Sequence, residues 1–377
     1  MKTFKLFLIA VIVLSVQVLY SYPRFSAYTG DKCSDCHVNP QGGGMRNQYG
    51  QNFAKQNLQM DFLKKLVTKK TDFSTQLNKN ISIGGDVRVV HVGNENTSGP
   101  STNTFLTMQG DFYANANVND YISVYVAPGL QIPNVPAKYE VYGMVGSLPA
   151  NLYFRAGRMT PAYGMKVVEH RAYQRQSLLG TPYAANDGVE IGLSPGFLNL
   201  SAGLFNGLNT NFFDNDPKRM FVSSADFSFV PVEDKFNVNF GASFYNNPYN
   251  FLDPNSGSQT DAIKQAFGGF AKFGLFKRVA LLGEVDFLEN TQLSSMTRGI
   301  FGYGELNVII INGVELRTQY EIMRPDRDTE NNRTIRTSVG AALFPLTGFE
   351  TEAMVRFVSD DQQPNTTEFQ WNFHFYF

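Results

Sequence analysis

The chain has 377 residues, a net charge of -1, two cysteines, 33 Phe and 18 Tyr. So many aromatics with so little net charge exclude disorder and a strongly basic nucleic-acid binder, and two cysteines exclude a disulfide scaffold. The one long apolar run, 6–19, is too short for a bundle of membrane helices.

Charge is unevenly spread. Residues 1–70 carry ten Lys/Arg and three Asp/Glu, so 71–377 carry 22 and 30, a net charge of -8. A basic head precedes an acidic body, which points to two units with different jobs.

The first 21 residues read as an export signal. Lys2 and Lys5 form the positive start, 6–19 the apolar stretch, and Ser21 the small residue near a cleavage site. The mature chain is expected to begin near Tyr22.

Residues 22–75 form the second unit. Cys33-Ser34-Asp35-Cys36-His37 is C-x-x-C-H, the c-type haem attachment sequence. Two thiols one turn apart can both reach the haem vinyl groups, and the following imidazole then sits under the iron. The alternative is a C-x-x-C redox pair beside an incidental His; such a pair normally opens a helix, whereas Gly42, Gly43 and Gly44 follow here. The stretch from Pro23 through Asn39-Pro40-Gln41-Gly42-Gly43-Gly44 to Tyr49-Gly50 resembles the monohaem c-type head found in front of bacterial outer-membrane β-barrels. That resemblance implies one covalent haem c, Cys33 and Cys36 as attachment points and His37 as the proximal iron ligand. Residues 51–70 carry apolar positions at helical spacing (Phe62, Leu63, Leu66, Val67) and predict a linker helix with Lys64, Lys65, Lys69 and Lys70 near its end.

Residues 76–377 predict an all-β fold, a sixteen-stranded antiparallel transmembrane β-barrel. Sixteen segments, from 80–92 to 367–377, alternate apolar and polar residues. In 314–322, Val314, Leu316, Tyr320 and Ile322 share one parity, and Glu315, Arg317, Gln319 and Glu321 the other. A sandwich would alternate too. Three features favour the barrel: an even strand count, short connections alternating with long ones (207–217, 247–262, 289–296, 325–331, 359–366), and a final strand whose outward parity is Phe369, Trp371, Phe373, Phe375, Phe377. The terminal Phe resembles the assembly signal of outer-membrane proteins. The polar parity places Asp111, Lys138, Glu140, Glu284, Asp286, Glu315, Arg317 and Arg356 on the lumen. The longest interior connection, 160–184, carries Lys166, Glu169, His170, Arg171 and Arg175; in porins of this size the third outer loop folds inward, and the resemblance implies the same here.

The distal haem ligand is open. His170 reaches the iron if the head enters the barrel, Met45 is a nearby thioether, and His374 faces the lumen at a reachable height; His91 lies on the apolar parity. If none binds, the sixth position is free for a small molecule, and only then would a haem enzyme or sensor be expected. The first functional expectation is electron transfer at or across the outer membrane, with periplasmic or surface redox proteins as partners. Eight basic groups against three acidic ones in 22–70 would suit an acidic partner. The alternative is a diffusion porin whose haem head acts as plug, anchor or redox gate. Lipid is an expected partner, nucleic acid is not, and homo-oligomerisation stays open, as does the head's position in the periplasm or the lumen.

Overall fold

The computed structural model describes residues 23–66, 74–96, 102–129, 139–167, 171–179, 185–207, 216–253, 256–293 and 295–377. The export signal, Lys69, Lys70, Lys138, Glu169 and His170 lie outside them.

Sixteen strands close into one antiparallel barrel: β1 Ile81–Asn96, β2 Thr102–Asn117, β3 Ile122–Pro128, β4 Tyr139–Val145, β5 Tyr153–Met159, β6 Asn186–Leu193, β7 Leu198–Phe205, β8 Met220–Val232, β9 Phe236–Leu252, β10 Gln259–Leu275, β11 Val279–Gln292, β12 Ser295–Ile311, β13 Val314–Arg324, β14 Thr334–Leu346, β15 Phe349–Asp360 and β16 Thr366–Tyr376. Each pairs with its sequence neighbours, and β1 closes the ring on β16 with Arg88 opposite His374. The expected strand number and alternation are both present. The outer strand ends run further than alternation predicted. β9 and β10 extend to Leu252 and from Gln259, and β11 and β12 leave only residues 293–294 between them. Short turns gather at the opposite end. At Phe276 and Lys277 both φ angles are positive, 51° and 54°, as a two-residue turn between right-twisted strands requires.

Polarity is inside out. Along β13, Glu315, Arg317, Gln319 and Glu321 are buried while Leu316 and Tyr320 are exposed. Phe369, Trp371, Phe375 and Phe377 are likewise exposed on the outer face of the closing strand and its end. A closed barrel satisfies its own backbone, and this outer face is the one hydrocarbon requires. Val285, at mid-height of β11 on that face, gives a direct test. Val285→Lys should cost about 2–4 kcal/mol of folding free energy in lipid vesicles, as charged residues do at a bilayer midplane; urea titration by tryptophan fluorescence would read it.

The predicted single helix over 51–70 is broken. α1 is Pro23–Thr29, α2 Gln48–Phe53 runs into a wider turn over Ala54–Leu58, and α3 is Asp61–Leu66. The break lies where the chain meets the β12–β13 and β14–β15 turns: the Met60 amide donates to the Phe344 carbonyl, and Asn312 donates to Asp61.

Candidate haem site in a plugged lumen

The head lies inside the barrel, at its short-turn end. In α1, Pro23 to Tyr28 are all buried. Its backbone rests on β10, where only glycine leaves room: a Cβ on Gly274 would stand 1.7 Å from the Ala27 carbonyl oxygen. Asn237 of β9 donates to the Ala27 and Tyr28 carbonyls, both at 3.1 Å. Arg24 reaches across to Glu315 of β13 at 3.1 Å and Glu350 of β15 at 2.7 Å. Lys32 donates to the Ser194 hydroxyl at 2.7 Å, Arg155 of β5 to the Asn39 side chain at 2.8 Å, and Arg46 pairs with Asp86 of β1 at 3.2 Å. These contacts span the ring of the wall. They also explain the charge asymmetry: the basic head meets an acidic lumen. Arg24 and Arg46 are buried in that contact, so they do not form the exposed docking surface expected from the charge count.

The C-x-x-C-H turn is built locally. Cys33–Asp35 is a single tight helical turn, and the His37 amide donates to the Cys33 carbonyl at 3.1 Å. The chain then folds back, so that His37 and Arg46 pair as a short β-bridge. Asn47 ties the return: its amide donates to the Cys36 carbonyl at 2.9 Å, its side chain to the Asp35 carbonyl at 2.7 Å, and its side-chain oxygen caps α2 at the Gly50 amide. Gly50 is needed for closeness, since a Cβ there would lie 2.4 Å from the Cys36 carbonyl oxygen. The Tyr49-Gly50 pair noted in the sequence is therefore part of the turn that holds Cys36.

Beside this turn is a small cleft of about 20 Å³, room for about one water molecule. Cys36, His37, Arg46, Glu350 and Tyr376 line it together with the apolar Phe25, Phe53, Ala54, Leu58 and Phe344, and the Arg46 guanidinium lies over the Tyr376 ring at 4.3 Å. Burial, and then the neighbouring Arg46 charge, push the His37 pKa down to about 4, so its imidazole is neutral, the form that binds a metal. The His37 imidazole and the Cys36 thiol both border the cleft and are the donor types a c-type haem uses, while Cys33 lies outside its lining and the space as it stands would have to open to take such a group. Cys33 is half-buried one turn away and packs on Gly42.

The distal candidates are placed differently. Met45 is 1% exposed and sits in the wall cluster with Tyr113 and Tyr125, outside the cleft lining. His374 has both ring nitrogens on carboxylates, Nδ1 on Glu350 at 3.1 Å and Nε2 on Asp86 at 2.7 Å. His91 packs outside the barrel between Phe105 and Phe369. Among the described residues that line the cleft, His37 is the one imidazole and no thioether is present.

The described parts of the third outer loop, 160–167 and 171–179, enter the lumen as the resemblance implied. Tyr163 donates to Asp286 at 2.9 Å and the Met165 amide to Glu284 at 3.1 Å, both on β11. Arg171 pairs with Glu368 of β16 at 3.0 Å, and the Tyr173 amide at the start of helix α4 (Tyr173–Leu179) donates to Glu321. Lys166 donates to the Gly42 carbonyl at 3.0 Å, so the loop touches the head directly.

No family profile and no curated protein matches this chain. Solved structures do. The chain is similar to the outer-membrane protein OmpT of Vibrio cholerae (11% identity, 79% of this chain and 97% of that one, TM-score 0.56). It is similar to an anion-selective porin from Comamonas acidovorans (10%, 79% and 99%, 0.57) and to Salmonella typhi OmpF in complex with daunomycin (12%, 79% and 98%, 0.59). The shared feature at these identities is the fold, a porin-like sixteen-stranded barrel.

Proposed function

We propose that this chain is an outer-membrane diffusion barrel closed at its periplasmic end by its own N-terminal segment, and that this plug carries one covalent c-type haem. The observation that carries the reading is the seating of the head inside the lumen by buried ion pairs to β1, β13 and β15. The inside-out polarity and the fold shared with porins, one of them anion-selective, support the barrel's role; they favour the porin alternative over electron transfer as the primary task. Bound at the cleft, the haem would supply reversible one-electron chemistry; Cys33 and Cys36 would hold it, His37 would ligate its iron, and Phe25, Phe53 and Phe344 would keep water from its face.

Electron transfer at the outer membrane is the second reading. It is favoured by the place of the cleft, at the short-turn end where a periplasmic redox protein can approach. Conductance in planar bilayers separates the two. The gate reading predicts small openings that change on adding dithionite. A closed barrel that passes no ions in either redox state would favour the electron-transfer reading. A wide conductance insensitive to redox state would contradict the plug.

A further inference from the structure

We propose that helix α3 and the turns that hold it form an anchor for anionic phospholipid headgroups in the inner leaflet of the outer membrane. The inference rests on the outer-membrane barrel reading above and is independent of the haem. It starts from charge that the plug leaves over. Of the eight basic residues in 22–70, Arg24, Lys32 and Arg46 meet the barrel wall. Lys64 and Lys65 stand instead in α3, at the short-turn rim.

The helix is fastened to that rim. The Met60 amide donates to the Phe344 carbonyl at 3.0 Å, Asn312 donates to Asp61 at 2.9 Å, and Thr347 donates to Gln59 at 3.3 Å. Phe62 is nevertheless 56% exposed. Beside the fastening points, the lipid-facing band of the wall ends in Ile310, Ile311 and Leu346, all exposed. Phe62 continues that apolar band beyond the strand ends. Arg278, exposed on the neighbouring β10–β11 turn, reaches the Ile309 and Ile310 carbonyls, both at 3.4 Å.

The sequence therefore supplies three cations here, Lys64, Lys65 and Arg278, against one carboxylate, Asp61, which lies 3.4 Å from Lys64. Lys277 on the same turn as Arg278 is paired with Asp234, and Glu233 and Lys235 on the next turn cancel. An acidic protein would answer the excess charge. It would not answer the place, because the apolar half of the patch extends the face already turned to hydrocarbon. A phospholipid leaflet supplies both, acyl chains for Phe62 and phosphates for the cations.

The test is hydrogen exchange, read by mass spectrometry, on the full chain in two bilayers. One is phosphatidylcholine alone and the other contains phosphatidylglycerol. Insertion is checked by heat-shifted gel mobility. Phosphatidylglycerol should slow exchange across 61–66 about tenfold or more, since each cation near an anionic surface adds about fivefold. Salt at about 1 M should reverse most of that gain, because the Debye length falls to about 3 Å. Lys64→Gln/Lys65→Gln/Arg278→Gln should lose the lipid dependence, and Phe62→Ser should speed exchange in both bilayers. A lipid dependence unchanged by salt or by the triple variant overturns the proposal. Equal wild-type exchange in the two bilayers also overturns it, and leaves the cations to an acidic protein. A chain that fails to insert overturns the barrel reading; an inserted barrel with equal exchange overturns only the anchor.

Discussion

Reversing the charge at Arg24 should unseat the plug. The guanidinium is 2% exposed and lies on both Glu315 and Glu350. Removing one partner of a buried ion pair costs about 3–5 kcal/mol, which weakens docking by about a hundredfold to several thousandfold. Arg24→Glu goes further, because it puts a third carboxylate into the same site. Arg46→Glu would do the same against Asp86. The double variant should show the conductance of an open barrel, about tenfold or more above wild type, since a sixteen-stranded ring without its plug leaves an aqueous channel. Unchanged conductance with the barrel intact would show that the plug does not block the pore.

The second large effect comes from the wall. Gly274→Leu changes no plug residue, yet it fills the space where the Ala27 carbonyl rests, and a Cβ there already collides at 1.7 Å. Backbone of α1 cannot yield while Asn237 holds the two carbonyls at its end. The expected result is expulsion of 23–29 from the lumen, read as protease cleavage of the head on the intact barrel together with raised conductance. The neighbouring outward-facing Phe273 is the control: Phe273→Leu should leave both readings unchanged.

The barrel was legible in the sequence because its physics is periodic. A strand buried against a polar lumen on one side and lipid on the other must alternate, and Val314 to Ile322 does so with Thr318 as the one polar residue on the apolar parity. The outer strand ends escaped that reading. Asn247, Asn250 and Asn290 stand on paired strands outside the expected spans; the apolar parity fades there, so backbone pairing continues without the pattern that announces it. The position of the head was less legible still. Arg24, Arg46, Asp86, Glu315 and Glu350 are scattered over the whole chain, and what joins them is a contact made only after the ring closes. One trace of it was visible: a head with excess positive charge before a body of net -8. Likewise Cys33, Cys36 and His37 stood out by spacing, whereas the cleft beside them is assembled from Phe25, Phe53 and Phe344, ordinary apolar residues in any sequence. His374 was noted as a lumen histidine, but its clasp between Asp86 and Glu350 depends on strand register.

A covalent haem in the lumen of this barrel is what we propose. Oxidised and reduced spectra with a pyridine haemochrome, taken on protein made with c-type maturation and extracted from outer membranes, test it most directly. The expected result is one covalent c-type haem per chain, absent from the Cys33→Ser/Cys36→Ser double variant, whose barrel should still shift on heating. A wild-type protein that folds, inserts and carries no covalent haem would contradict it, and would leave a plugged porin whose C-x-x-C-H serves another purpose.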